Sequence, residues 1–200
     1  MAEPPTIVTT APPGLAYRRV EEADLPFLAE LYASTRREEV AQVPWSEEQK
    51  EAFLRWQFEN QHQHYQTYYP ECELLVIERA PEGRPTGAEP LEGRGDGAAE
   101  SASGGEARPR SIGRLYVDRW KDQIRLVDIA LLPEHRGAGL GRAILEELLA
   151  EGERSGLPVT IHVEYNNPAL RLYRRLGFRH VDSNGIYYLM RWEPSSSLSS

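Results

Sequence analysis

The sequence predicts a mixed α/β domain, and three observations carry that prediction. Runs of period-two alternation, such as Val159, Ile161 and Val163 against Thr160, His162 and Glu164, read as half-buried strands. Apolar residues at three- and four-residue spacing, such as Leu140, Ile144 and Leu148 with Leu145 and Leu149 beside them, read as helix faces. The two kinds of segment intermingle along the whole chain instead of falling into separate blocks. At 200 residues, 40% hydrophobic and 27% charged, the composition is that of an ordinary globular domain with room for one real core.

In chain order, residues 15–20 read as a strand, and Asp24 reads as the N-cap of a helix carrying Leu25, Leu28, Leu31 and Tyr32. Ser46 and Gln49 form a capping-box pair opening a second helix with Phe53, Trp56 and Phe58. Strands follow at 73–79, 112–117 and 124–132, then the helix from Leu140 that Gly156 ends. After the alternating strand at 159–164, Asn167-Pro168 reads as a cap followed by proline at the first helical position. That short helix carries Ala169, Leu172, Tyr173 and Leu176 and stops at Gly177. Asn184-Gly185 between 178–181 and 186–192 is a hairpin turn.

Three segments read as unstructured. They are a Pro/Thr/Ala-rich tail at 1–14, a serine-rich tail at 194–200, and a stretch at 80–110. The last holds seven glycines and four prolines, with Leu91 its only large apolar side chain, so it cannot bury enough surface to offset its ordering entropy. The expected organisation is a single domain at 15–193 interrupted by this insertion.

The formal net charge of −8 argues against a protein devoted to DNA or RNA, because neutralising phosphates needs surplus basic side chains. The single cysteine, Cys72, rules out an intrachain disulfide and suits a reducing cytoplasm. No window approaches the ~18 apolar residues of a membrane span, and residues 1–14 lack the pattern of a secretory signal. His62 and His64 stand two apart without acid or cysteine neighbours, so no metal site is expected there. With Gln61, Gln63 and Gln66 they read as a solvated face.

The segment that carries chemistry runs from Leu131 to Arg142, between a buried-looking strand and an amphipathic helix. Gly137, Gly139 and Gly141 let the backbone turn sharply and let a ligand approach, while the first turn of the helix offers unpaired N–H groups and a positive dipole end. With Arg136 and Arg142 this makes a cradle for phosphate or pyrophosphate. Arg142-Ala143 after Gly141 fails the nucleotide-triphosphate loop, which needs Lys and a hydroxyl, and no register gives the dinucleotide glycine fingerprint.

What remains, Arg136-x-x-Gly139-x-Gly141, resembles the acyl-coenzyme-A loop of the GCN5-related N-acetyltransferase (GNAT) superfamily. A second segment agrees: Asn166-Asn167-Pro168-Ala169-Leu170-Arg171-Leu172-Tyr173-Arg174-Arg175-Leu176-Gly177-Phe178 is similar to that superfamily's Asn-x-x-Ala-x-x-Leu-Tyr-x-x-x-Gly-Phe signature. The resemblance covers about 112–192 and implies a central mixed, largely antiparallel sheet flanked by helices. It also implies a soluble cytoplasmic enzyme that transfers an acetyl group from acetyl-coenzyme A directly to a primary amine of a small molecule or peptide. Neither metal, nucleic acid nor membrane enters that picture, and a homodimer is a possible assembly.

By the same resemblance Arg136, Gly137, Ala138, Gly139, Leu140, Gly141 and Arg142 hold the pyrophosphate. Ala130, Leu131 and Leu132 pair with the pantetheine arm, Asn166 contacts the cofactor, and Tyr173 protonates or stabilises the leaving thiolate. The base is read from the residues themselves. Asp128 interrupts an apolar run where an ionised carboxylate is costly unless paired or used, and ranks first; Glu164, on one strand face with His162, ranks second. The N-terminal helices, with Tyr32, Glu38, Glu39, Trp45, Phe53 and Trp56, are expected to border the acceptor site and favour a cationic amine. A non-catalytic acyl-coenzyme-A sensor on the same fold is the rival reading.

Overall fold

The computed structural model describes residues 8–79 and 109–195. Seven strands, β1 (Leu15–Arg19), β2 (Glu73–Arg79), β3 (Arg110–Arg119), β4 (Ile124–Leu131), β5 (Val159–Glu164), β6 (Arg179–Asn184) and β7 (Tyr187–Trp192), form one sheet in the order β1-β2-β3-β4-β5-β7-β6. Every neighbouring pair is antiparallel except β4 with β5, which makes the sheet mixed and largely antiparallel as expected. Four helices pack on it: α1 (Leu25–Ala41), α2 (Glu47–Tyr68), α3 (Leu140–Ser155) and α4 (Leu170–Arg175).

The alternation of β4 assigns the helices to faces. Ile129 and Leu131 join the apolar core that includes Ile144, Leu145, Leu148 and Leu149 of α3 and Leu170 and Tyr173 of α4. Ala130 and Leu132 pack instead with Leu28, Leu31, Leu54 and Phe58 of α1 and α2. Successive side chains of one strand point to opposite faces, so α3 and α4 lie on one side and α1 and α2 on the other. The α3 stripe alone buries four large aliphatic side chains, each worth about 1.5–3 kcal/mol as an upper bound.

Two irregularities in β4 matter more than the rest of the fold. The β3–β4 register steps from Tyr116↔Asp128 to Val117↔Leu126, so Val127 is the extra residue of a bulge. On its other side β4 pairs with β5 only at Ile124↔Val159, Arg125↔Thr160 and Leu126↔Ile161, after which the two strands part. Gly113, opposite Leu131, allows β3 to approach closely; a Cβ there would stand 2.3 Å from the Ala130 carbonyl oxygen.

The helix ends follow the local signals with two differences. Ser46 and Gln49 exchange both bonds of the capping box that opens α2, and Gly156 ends α3 in the left-handed conformation at φ 69°. Asp24 sits at the start of α1 but does not cap it with its side chain: the carboxylate accepts from the Glu21 N–H and pairs with Arg18 at 2.6 Å. The short helix α4 begins at Leu170 rather than Pro168, because Asn167 Oδ1 accepts the Ala169 N–H and holds the chain in a turn.

Of the segments expected to lack structure, 1–7, 80–108 and 196–200 lie outside the described residues. The strands on either side of 80–108, β2 and β3, are paired neighbours in the sheet. Within 1–14, the Val8 and Thr9 N–H groups donate to the Glu73 carboxylate at 2.7 and 3.2 Å. Among the described residues no helix is long and apolar enough to cross a membrane, and no cluster of His, Cys, Asp or Glu is placed to hold a metal ion.

Candidate functional site

The glycine segment falls at the far end of β4. After Leu131 the chain makes one short 3-10 turn (Pro133–His135) and reaches Gly137 and Gly139, both at positive φ of 77° and 83°. Only glycine takes that conformation without cost, and a Cβ at either position would meet no atom within 4 Å, so the loop faces open space. Gly139 caps α3, whose first main-chain bond runs from the Ala143 N–H to the Gly139 carbonyl at 3.0 Å. The N–H groups ahead of it, in the first helical turn, carry no main-chain partner.

Ala138 and Arg142 are exposed, Leu140 and Gly141 half-buried. Arg142 reaches along α3 to Glu146 at 2.8 Å. Arg136 turns back instead, donating from Nε to the Leu131 carbonyl at 2.7 Å and from Nη2 to Ser34 Oγ at 3.1 Å. It therefore braces the loop against α1 and leaves the cradle free of side chains.

Beside the parted strands lies a cavity of about 270 Å³. Its walls come from β4 (Val127, Asp128, Ile129, Ala130), β5 with the residues after it (His162, Glu164, Asn166), α1 (Tyr32, Arg36, Glu39), α2 (Gln61, Tyr65), and Arg114 and Tyr187. Predicted Asp128, Ala130, Glu164 and Asn166 are thus brought together, while Leu131 is core and the Leu132 N–H is taken by the Ile112 carbonyl.

The two candidate bases are both ion-paired. Asp128 meets the buried Arg114 guanidinium at 2.5 Å and accepts a hydrogen bond from the Tyr65 hydroxyl at 3.2 Å. Arg114 also donates to Gln61 Oε1 at 2.8 Å and stands 5.4 Å from the Tyr116 ring centre. Glu164 is gripped by Arg36 through two bonds, at 2.5 and 3.0 Å. That hydrogen bonding holds Glu164 below the usual carboxylate range in spite of burial, which makes it a weak proton acceptor.

Tyr173 is buried in the core, edge-on to Phe178 with ring centres 5.6 Å apart. Burial first, and then the charge of Asp128, raise its phenol well above the ordinary value, so it stays a hydrogen-bond donor.

Of the expected solvated face, Gln63, His64 and Gln66 are exposed, but Gln61 lines the cavity and the half-buried His62 ring stacks on Phe58 at 5.7 Å. Tyr32 and Glu39 border the cavity as expected, but Trp45, Phe53 and Trp56 do not. They pack on one another, Trp45 edge-on to Phe53 at 5.1 Å and Phe53 stacked on Trp56 at 6.1 Å. Sequence reasoning missed Arg36, Gln61, Tyr65, Arg114 and Tyr187. For Arg114 a signal existed, a charge set between Ile112-Gly113 and Leu115-Tyr116-Val117 in the apolar middle of β3. For the others, on exposed-looking faces of polar segments, there was none.

Comparison with known proteins agrees with this geometry. Residues 103–180 match the model of the acetyltransferase (GNAT) domain. The [ribosomal protein bS18]-alanine N-acetyltransferase of Haemophilus influenzae is 34% identical over 78 residues, which are 38% of this chain and 53% of that protein. The match thus spans about half the length of that curated relative. Among solved structures, the PaiA N-acetyltransferase of Thermoplasma acidophilum, in complex with coenzyme A, is similar with a TM-score of 0.56 at 17% identity, covering 90% of this chain and 98% of that one. The spermidine N-acetyltransferase of Vibrio cholerae, in complex with CoA and spermine, is similar with a TM-score of 0.52 at 19% identity, covering 93% and 99%. The segment that holds the parted strands, the glycine loop, α3, β5 and α4 is thus similar to the GNAT acetyltransferase domain.

Proposed function

We propose that the protein is an acetyl-coenzyme-A-dependent N-acetyltransferase acting directly on a primary amine of a small molecule or peptide. One observation carries this reading: β4 leaves β5 after Leu126, and its unpaired edge leads straight to a glycine loop at the open N-terminus of a helix, with a polar cavity alongside. The residues fit coenzyme A. The free N–H groups from Gly137 to Arg142 suit its pyrophosphate, and the unpaired edge of β4 at 127–130 suits the amide-bearing pantetheine arm, as an added strand would. When bound, acetyl-coenzyme A supplies the thioester carbonyl and the thiol that leaves.

The protein's own side chains then have three tasks. The cavity holds the amine against the β4 edge, which supplies proximity. The amine attacks only when neutral, and Asp128, on the cavity wall, takes its proton directly or through a water. Tyr173, kept protonated by burial and by Asp128, donates a hydrogen bond to the sulfur as negative charge gathers there. Asn166, on the same wall, orients the cofactor arm. The new amide and free coenzyme A leave.

Release of thiol from acetyl-coenzyme A across a panel of amines tests the reading, with calorimetric titration of coenzyme A against ATP and NAD. Saturable coenzyme A binding and thiol release with at least one amine class are expected; failure to bind coenzyme A sinks the proposal. The ion pairing of both carboxylates favours the second reading, an acyl-coenzyme-A sensor. That reading predicts binding without turnover for every amine.

A further inference from the structure

Next to the cavity, and sharing Gln61, Tyr65, Val127, His162 and Tyr187 with it, lies a second, larger one of about 470 Å³. The two differ in charge. The first is walled by Arg36 and Arg114 and by the carboxylates Glu39, Asp128 and Glu164. The second has Arg125 on its wall and no aspartate or glutamate at all; its other polar walls are amides, imidazoles and phenols.

Arg125 is only 5% exposed, and among the described residues no carboxylate pairs with it. Its guanidinium donates to His162 Nδ1 and, at 3.5 Å, to Thr160 Oγ1, and the Tyr69 phenol faces it, while its Nε–H is buried without an acceptor. Burial pushes Arg125 below the ordinary arginine value, and burial together with Arg125 pushes His162 down. The imidazole is therefore neutral and accepts from Arg125, so it offers no countercharge. Asp182 acts on His162 from β6, but its Oδ1 accepts the Ser183 N–H and it is not on the cavity wall.

A buried, unpaired cation costs several kcal/mol unless something compensates it, and a buried guanidinium left with a free N–H suits an oxygen anion above other ligands. We propose that the second cavity is an acceptor subsite in which Arg125 binds a carboxylate carried by the amine that is acetylated. Because of the bulge at Val127, Arg125 and Asp128 stand opposite Asp118 and Tyr116, only two positions apart on β3, so about 7 Å of strand separates them and the carboxylate lies about two peptide units from the reacting nitrogen. The acceptor is then an amine that also carries a carboxylate, and not simply the cationic amine that the acidic helices suggested. This proposal rests on the acetyltransferase reading for the amine but not for the anion.

Two arms test it. The first needs no turnover: glutarate and glutaramide are titrated into the full chain while the arginine Nε–H resonances are followed by NMR. A saturable shift of the Arg125 signal with glutarate but not glutaramide, lost in Arg125→Met, is expected; no shift, or the same shift with both, overturns the proposal. Arg125→Met should fold with an unchanged or raised Tm, because a buried unpaired charge is replaced by an apolar chain. A clear fall in Tm would make Arg125 a structural cation and also overturn it.

The second arm compares thiol release for Ala-Asp against Ala-Asn, and for 6-aminohexanoate against 6-aminohexanamide. The carboxylate member should be favoured at least tenfold in kcat/KM. The preference should collapse toward unity in Arg125→Met and return in part in Arg125→Lys. Which pair shows the larger preference distinguishes a peptide from a small amino acid as its source. Turnover without preference defeats this inference alone; a glutarate-specific shift with no turnover for any amine defeats the acetyltransferase reading and leaves the anion site standing.

Discussion

Replacing Gly139 by Asn and by Asp gives two variants of nearly one shape that differ by one charge. Gly139 sits at φ 83° as the N-cap of α3, where a Cβ meets nothing within 4 Å. Asn and Asp are the side chains best able to take that conformation, so each should fold with a similar strain penalty of about 1–2 kcal/mol at most. In the free protein the Asp charge stands at the positive end of a 16-residue helix and should stabilise it over Asn by about 0.3–1 kcal/mol. For a domain of this size that raises Tm by roughly 1–4 °C.

Toward a pyrophosphate on the same N–H groups the sign reverses. One negative charge about 5–6 Å from each phosphate costs roughly 0.7–3 kcal/mol per phosphate charge at an effective dielectric between 80 and 20. Summed over the two phosphates and at about 1.4 kcal/mol per decade, coenzyme A should bind Gly139→Asp at least about 10-fold more weakly than Gly139→Asn. Scanning fluorimetry and calorimetric titration read the two effects separately. Gly156→Asn, at the other end of α3 and also at positive φ, should lose stability without losing affinity. If Gly139→Asp raises Tm over Gly139→Asn and binds coenzyme A equally well, the helix N-terminus is not where the phosphates lie, and the reasoning fails.

Three further outcomes follow from the cavity. Tyr173→Phe keeps the ring that packs on Phe178, so Tm should hold within a few degrees while kcat falls by about 10²-fold or more at unchanged coenzyme A affinity, read by titration and steady-state kinetics. Asp128→Asn leaves the buried Arg114 cation unpaired and should cost about 3–5 kcal/mol, visible as a Tm drop on the order of 10 °C. Adding Arg114→Gln should recover most of that stability but none of the activity. Glu164 has a folded pKa below its unfolded one, so the folded state binds fewer protons and the Arg36 pair contributes its full stability above the ordinary carboxylate value of 4.5. That contribution is lost as pH falls through the depressed value. The Tm difference between the parent and Glu164→Gln should therefore stay constant from pH 7 to about pH 5 and close below it.

Helix starts and stops, strand periodicity and the glycine loop were legible in the sequence because each is set within a few residues. The Ser46–Gln49 box, the left-handed Gly137, Gly139 and Gly156, and the Asn184-Gly185 turn need no distant partner. Asp128 stood out for the same reason, a charge in an apolar run. Its partners did not, since a ligand or an ion pair depends on what the fold sets opposite.

The sequence by itself determined that a glycine turn with free N–H groups would open where β4 gives way to α3, because backbone conformation and helix-end polarity are local properties. The tertiary structure decided everything about the cavity's charge. Arg36 reaches Glu164 across 128 residues, Arg114 lies across a strand pair from Asp128, and Arg125 faces the uncharged His162, Thr160 and Tyr69. Those pairings depend on register between strands and on how α1 and α2 cross the sheet. The one-residue bulge at Val127, invisible in any periodicity, changes which side chains of β4 face the cavity on either side of it, so Arg125 and Asp128, three apart, both turn to the α2 face.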